Sequence, residues 1–315
     1  MQITHGILPH SHRPSALTVG NFDGVHLGHQ ALLSHLVVEA RQGGFESVAI
    51  TFEPHPREWF GGDHVPARLS SLRDKLTVIR RCGIDRVHII PFNAALANMR
   101  AVTFIEQLLV RGFCMHHLLI GDDFRFGAQR HGDFSLLQRM SITHGYQVSA
   151  MHSITDDTTR ISSTAIREAL ATGQFEQAAR WLGRPYSISG HVIHGDKRGR
   201  ELGFPTANIG LNRHTLPVSG VFMVKVHGVT DHSIAGVANV GIRPTMTTTL
   251  QPRLEIHLLN ANPSLYGHII EVEFITKLRD EQKFADFTAL ARQITQDVAT
   301  ARDFFNLPLP NNDHD

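Results

Sequence analysis

The rhythm of hydrophobic positions changes near residue 184. Before it, short apolar runs with little alternation recur: Leu17-Thr18-Val19, Val48 to Phe52, Val87 to Pro91, Leu118-Leu119-Ile120 and Val148 to Met151. Amphipathic stretches separate them. From Ala31 to Arg41, the residues Leu32, Leu33, Leu36, Val37 and Ala40 fall at helical spacing, and further helices are predicted near 73–81, 102–111 and 134–144. Strands without alternation are buried on both faces, which calls for a parallel sheet covered by helices. Residues 1–183 therefore predict a doubly wound α/β domain, with ligands at the carboxyl ends of its strands. Beyond Trp181-Leu182-Gly183-Arg184-Pro185 the β-runs are divided only by turns: Ser187 to Ile193, Val221 to Val226, Ile234 to Val240, Leu254 to Leu259 and Ile269 to Phe274. No long helix intervenes until Phe284 to Phe305. Residues 184–308 thus predict an all-β domain, an antiparallel barrel or sandwich with a terminal helix, and 309–315 a polar tail.

Composition narrows the function. A chain of 315 residues, 42% hydrophobic and 19% charged, has the make-up of an ordinary globular protein with about two domains. A net charge of +1 argues against a protein that lives on nucleic acid or anionic lipid, which needs a broad cationic excess. The cluster Lys197, Arg198 and Arg200 suits a single polyphosphate. No apolar run approaches the ~20 residues of a membrane helix. Cys82 and Cys114 lie outside any CxxC pattern, so reduced thiols are expected. The first residues lack a charged segment followed by an apolar one, so a cytoplasmic location is expected. Of the 22 histidines, His5, His10 and His12 sit in a Pro-containing lead-in with no metal-ligand spacing around them.

The segment Gly20-Asn21-Phe22-Asp23-Gly24-Val25-His26-Leu27-Gly28-His29 follows the first strand and opens the first helix. Glycines at 20, 24 and 28 allow close approach of a ligand. The helix start offers unpaired N–H groups and a partial positive charge to a polyphosphate. His26 and His29, three apart, share one side of the first turn and can donate hydrogen bonds to a leaving pyrophosphate. A Gly-rich turn alone would be a solvated loop; a strand, HxGH and a helix in that order are far more specific. A second segment, Arg160-Ile161-Ser162-Ser163-Thr164-Ala165-Ile166-Arg167, places Ser163 and Thr164 at a predicted helix start, with Arg167 one turn on to clamp phosphate.

The first segment resembles the HxGH signature of the nucleotidyltransferase superfamily, and the Ser-Thr-Arg motif is similar to that of FAD synthetases. No lysine-rich loop or basic anticodon-binding domain of a tRNA synthetase is found. The resemblance extends to Thr51-Phe52-Glu53-Pro54-His55-Pro56-Arg57-Glu58-Trp59-Phe60 and to Gly121-Asp122-Asp123-Phe124-Arg125-Phe126-Gly127. It implies that Pro54, Pro56 and Phe60 line a flavin site, and that Asp123 helps to hold ATP and Mg²⁺. It also implies that Gly20, Phe22, Asp23, Gly24, His26, Gly28 and His29, with Arg160, Ser163, Thr164 and Arg167, bind ATP.

The second half holds Gly195-Asp196-Lys197-Arg198-Gly199-Arg200-Glu201-Leu202-Gly203-Phe204-Pro205-Thr206-Ala207-Asn208. Its glycines and cations suit a phosphate nest, to which Gly195, Lys197, Gly199, Arg200 and Gly203 contribute. Thr206 and Asn208, two apart on an extended segment, point the same way and offer hard oxygens to Mg²⁺. This loop resembles the riboflavin kinase signature, and the resemblance continues through 217–222, 236–245 and 265–284. In Arg253-Leu254-Glu255-Ile256-His257-Leu258, Glu255 and His257 face away from the apolar side. The resemblance makes Glu255 the base that accepts the riboflavin 5′-hydroxyl proton, and has Arg279 and Asp280 contact flavin or order the lid. Asn260-Ala261-Asn262-Pro263-Ser264 departs from the acidic residues common in that family.

Together the two halves resemble bacterial bifunctional riboflavin kinase/FAD synthetases. That implies a nucleotidyltransferase-like sheet, a six-stranded-type barrel, the small-molecule substrates riboflavin, FMN and ATP, and Mg²⁺ with the nucleotide. Two other readings compete. One is a nucleotidyltransferase for a pantetheine or nicotinamide nucleotide, which the Pro-Thr-Ala-Asn segment opposes. The other is a flavin-binding regulator, which HxGH and the Glu255 strand oppose.

Overall fold

A computed structural model describes residues 1–7, 13–61, 65–194, 203–211, 215–244, 250–260 and 265–308. Its contacts divide into two compact units, Met1–Pro66 with Leu72–Ser163, and Ala67–Ser71 with Thr164 onward. The division lies upstream of the 183/184 boundary read from the sequence. The helix Phe175–Leu182 buries Phe175, Ala178, Trp181 and Leu182. Phe175 stacks on Phe274 and meets the edge of Phe222, both barrel residues.

In the first unit, strands β1 (Gln2–His5), β2 (Ser15–Val19), β3 (Glu46–Glu53), β4 (Arg86–Pro91), β5 (Met115–Gly121) and β6 (Gln147–Met151) form one sheet in the order β1-β4-β3-β2-β5-β6. Every pairing is parallel. Successive residues of a strand enter opposite cores. Leu17, Val48, Ile50, Ile90 and Leu118 join one cluster, whereas Ala16, Ala49, Val87, Ile89 and Leu119 join the other. Burial on both faces is what the unalternated runs require. Helix α1 (Leu27–Gly43) buries Leu32, Leu33, Leu36, Val37 and Ala40, the five expected from the spacing. Also present are α2 (Pro56–Phe60), α3 (Leu72–Arg81) and the helix Phe134–His144. The helix expected over 102–111 is wound as a π-helix across Phe104–Gly112. Strand β1 escaped the pattern because it is a four-residue edge strand with one neighbour and no fully buried residue. A short hairpin of β7 (Thr155–Asp156) and β8 (Thr159–Arg160) follows β6.

In the second unit, β9 (Ser187–Ile193), β10 (Ala207–Gly210), β11 (Gly220–His227), β12 (Ile234–Pro244), β13 (Leu250–Leu258) and β14 (Ile269–Arg279) close an antiparallel barrel in the order β10-β13-β12-β11-β14-β9. This decides the barrel-or-sandwich alternative for the barrel. The sixth strand is β10, the extended Ala207–Gly210 piece. Gly220 opens β11 at φ 116°, where a Cβ would stand 2.5 Å from the Arg279 carbonyl oxygen, so closure requires glycine. The terminal helix Phe287–Phe304 is capped by Asp286 and buries Ala301 in a cluster with Val221, Met223 and Val237. No helix among the described residues is long and apolar enough to cross a membrane.

Candidate functional site

In the first unit the chain leaves β2 toward β3 on one side, while β5 and β6 lie on the other. The sheet order reverses between β2 and β5, and a crevice opens where the connections diverge. A cavity of ≈ 270 Å³ lies there, close to the ~300 Å³ lower bound of small-molecule sites. Gly20, Phe22, His26, Gly28 and His29 line it from the β2 loop, and Asp123, Arg160 and Ser163 from the other side.

The loop is shaped by its backbone. Phe22 (φ 47°) and Val25 (φ 42°), with Gly24 (φ 80°), all adopt left-handed conformations. Such residues persist only where the surroundings over-determine them. Val25 is fully buried, Phe22 nearly so, and the Gln30 amide donates to the Val25 carbonyl at 2.8 Å. His26 caps α1, its Nδ1 accepting from the His29 N–H at 3.4 Å. The His26 and His29 rings stack with centroids 3.7 Å apart. A Cβ on Gly28 would come within 3.1 Å of the His26 imidazole, so glycine lets the cap fold back. Burial, then the charges of His26 and Lys75, hold the His29 imidazole well below its usual pKa. Its Nδ1 is buried without a hydrogen-bond partner.

Across the cavity Arg160 donates to Asp123 at 2.7 Å and stands 3.9 Å from Asp122. Burial pushes the Asp122 carboxyl up. The Ser153 hydroxyl and N–H, Arg160 and His152 outweigh that and hold it below the usual range. Ser163 begins the helix Ser163–Ala171 and donates its hydroxyl to the Asp23 carbonyl at 2.9 Å, tying the second motif to the HxGH loop. Thr164 is exposed, and Arg167 donates to the Ala67 carbonyl at 2.6 Å; both residues group with the second unit.

Pro54, Pro56 and Phe60 lie outside the cavity lining, beyond the carboxyl end of β3. Pro56 opens α2, and Phe60, 70% exposed, meets the edge of Phe92, which meets Phe52. An aromatic step therefore continues the carboxyl edge of the sheet past β3 and β4.

On the barrel, register aligns three polar side chains. Asn208 of β10 pairs with Glu255 of β13, which pairs with Asn239 of β12. Directly opposed residues project to one face. Arg253 binds both Glu255 (2.7 Å) and the Asn208 side-chain oxygen (3.0 Å). Leu254, Ile256 and Leu258 are buried, and Glu255 and His257 are half-buried, as the alternation requires. His257 Nδ1 lies 2.9 Å from the Pro205 carbonyl oxygen, tying down the segment that leads through Thr206 into β10. Burial lowers the His257 pKa more than the Pro205 bond raises it, and Arg302 adds to the lowering. Gly203 is left-handed at φ 84° and Thr206 half-buried. Gly195, Lys197, Gly199 and Arg200 lie outside the described residues. Arg279 is held by Asp297 of the terminal helix through its Nε and Nη2 atoms, at 2.7–3.1 Å.

Residues 8–165 match the FAD synthetase family and residues 182–305 the riboflavin kinase family. The chain is 45% identical to the bifunctional riboflavin kinase/FMN adenylyltransferase of Escherichia coli strain K12, over 98% of this chain and 100% of that one. It is 47% identical to the protein of the same name from Haemophilus influenzae, covering 92% and 94% of the two chains. The chain belongs to the bifunctional riboflavin kinase/FMN adenylyltransferase family. A crystal structure titled as a macrolide-efflux protein from Streptococcus pneumoniae superposes with a TM-score of 0.78 at 26% identity, covering 96% of this chain and 99% of that one.

Several features of the sites were not singled out in the sequence. Asn239 joins the Glu255 row only through strand register. Ser153 and Asp122 are 31 residues apart and meet only because β5 and β6 are neighbours. Lys75 reaches Thr51 of β3 from α3, 24 residues away in the chain. Phe92 directly follows β4, and its position after a predicted strand was a signal available for it.

Proposed function

We propose that the chain converts riboflavin to FMN on its barrel and FMN to FAD on its parallel-sheet unit, using one ATP in each step. The observation that carries this reading is the coexistence of two unlike sites. One is a cavity at the switch point under the stacked His26 and His29. The other is the Asn208–Glu255–Asn239 row on the barrel. Family membership supplies the substrates.

In the adenylyl transfer, an FMN phosphate oxygen attacks the α-phosphorus of ATP and pyrophosphate leaves. His26, His29 and the first N–H groups of α1 meet the charge gathering on the leaving group. Burial holds the His29 pKa down, and a bound polyanion would favour its protonated form. Gly20, Phe22, Asp23, Gly24 and Gly28 shape the cradle; Arg160, Ser163, Thr164 and Arg167 complete the phosphate contacts. Pro54, Pro56 and Phe60 are assigned to the flavin, whose isoalloxazine suits the Phe60–Phe92 step.

In the phosphoryl transfer, Glu255, oriented by Arg253, accepts the 5′-hydroxyl proton as that oxygen attacks the γ-phosphorus. Thr206 and Asn208 fit a nucleotide-bound Mg²⁺, since both offer neutral hard oxygens and the Asn208 carbonyl retains a second lone pair beside its Arg253 bond. Mg²⁺ when bound would offset charge on the phosphates. Gly195, Lys197, Gly199, Arg200 and Gly203 are assigned to the phosphate nest. Asp123 keeps one carboxylate oxygen for the cation of the other site. Arg279 acts on flavin through the segment that it and Asp297 hold in place.

The functional boundary is placed at 183/184, with the tail from 309 outside both activities, and the location is cytoplasmic, in keeping with two free cysteines. The test is chromatography of flavins after incubation with riboflavin, ATP and Mg²⁺. FMN should appear first and FAD should follow; absence of either product from folded protein overturns the corresponding half.

A further inference from the structure

Lys75, on α3, is 4% exposed. A buried ammonium is costly, and an apolar side chain of similar length would fill the same space at less cost. Its hydrogen bonds lead toward the first site. Lys75 Nζ donates to Thr51 Oγ1 at 3.4 Å, and Thr51 Oγ1 donates to the Asn21 carbonyl at 3.3 Å. An ammonium only donates and a hydroxyl has one proton, so the direction Lys75 → Thr51 → Asn21 is fixed. Thr51 is fully buried at the end of β3, so water does not compete for the relay.

Asn21 directly precedes Phe22, which with Gly24 and Val25 takes left-handed backbone in the turn that delivers His26 and His29 to the cavity. The Asp23 carbonyl is pinned from one side by Ser163. The relay pins Asn21 from the other. Lys75 also faces His29 electrostatically, together with His26, and both oppose protonation of that imidazole.

We propose that Lys75 is a positioning residue for adenylyl transfer, fixing the Gly20–Gly24 loop through Thr51 so that His26 and His29 meet the triphosphate in register. The proposal rests on the FAD-forming activity assigned above.

The test uses full-length Lys75→Met, Thr51→Val and the double variant. FAD formation from supplied FMN is measured as kcat and KM for ATP. Riboflavin phosphorylation in the same samples serves as the reference, and the His29 imidazole titration is followed by NMR. Misplacement by about 1 Å costs up to ~100-fold in rate, so each single variant should lose about 10–100-fold in FAD-forming kcat. The double variant should be no worse than Lys75→Met, because both break one relay. FMN formation should stay within about twofold of the parent, because the barrel does not use the relay. Lys75→Met should move the His29 titration to higher pH, whereas Thr51→Val, which keeps the ammonium, should leave it in place, a split that loosened burial would not produce. A Thr51→Val protein with parental kcat, losses that multiply in the double variant, or an unmoved His29 titration in Lys75→Met would overturn the relay. A parent protein that makes FMN but no FAD would instead sink the activity assignment.

Discussion

His29 and Glu255 show how different the two sites are at the scale of single residues. His29 is buried against a second imidazole, and burial with the nearby charges of His26 and Lys75 opposes its protonation. Glu255 is half-buried and already engaged by Arg253 at 2.7 Å. The expected losses are therefore separable. Removing an oxyanion-type donor typically costs about 10²–10³-fold, so His29→Ala should cut FAD formation by that much and leave FMN formation intact. Removing a general base typically costs about 10²–10⁴-fold, so Glu255→Gln should do the reverse, with FAD still made from supplied FMN. Chromatographic rates with riboflavin or FMN as the starting flavin check both. The two histidines were legible because their function rests on neighbours within one turn. Lys75 was not, because its partner Thr51 lies 24 residues away and only packing joins them.

At the scale of elements, the unalternated runs became a two-sided parallel sheet, while the turn-divided runs, which suited a barrel or a sandwich, closed into a barrel. What the pattern missed were pieces that bury little, such as β1, or that carry a site, such as β10. The join between barrel and terminal helix was also hidden in the sequence. Arg279 ends β14, and its guanidinium meets Asp297 of the helix Phe287–Phe304, with the two side chains 15% and 7% exposed. Gln293 adds a bond to the same carboxylate at 3.0 Å. Breaking a buried pair by removing one partner costs about 3–5 kcal/mol, because the other charge is left uncompensated. Asp297→Ala should therefore destabilise the barrel unit by that amount in urea denaturation. Trp181, which groups with that unit, reports on it in a Trp59→Phe background, since the chain has only 2 tryptophans.

For the whole molecule, acid should act unevenly. Burial is the first cause of the lowered pKa of His29, His88 and His117 in the first unit, and of His257 in the second. A histidine with a depressed folded pKa binds fewer protons folded than unfolded between that value and about 6.5. Its stability contribution is complete above about pH 6.5 and is lost as pH falls toward the folded value. With three such groups against one among the described residues, the first unit should lose more stability between pH 7.5 and 5.5. Urea titrations followed separately by Trp59 and Trp181 should show the Trp59 midpoint falling further; equal shifts would contradict the burial account. The sequence alone determined a helix-covered parallel sheet followed by an antiparallel all-β unit, and the segments that carry phosphate chemistry. Burial patterns and short motifs act over a few residues, where the chain's own geometry brings groups together. Tertiary structure decided which distant groups meet: Ser163 on the Asp23 carbonyl, Asn239 beside Glu255 and Asn208, and Arg279 on Asp297. Those meetings depend on strand order, register and the approach of helices, which arise only when the whole apolar surface is buried at once.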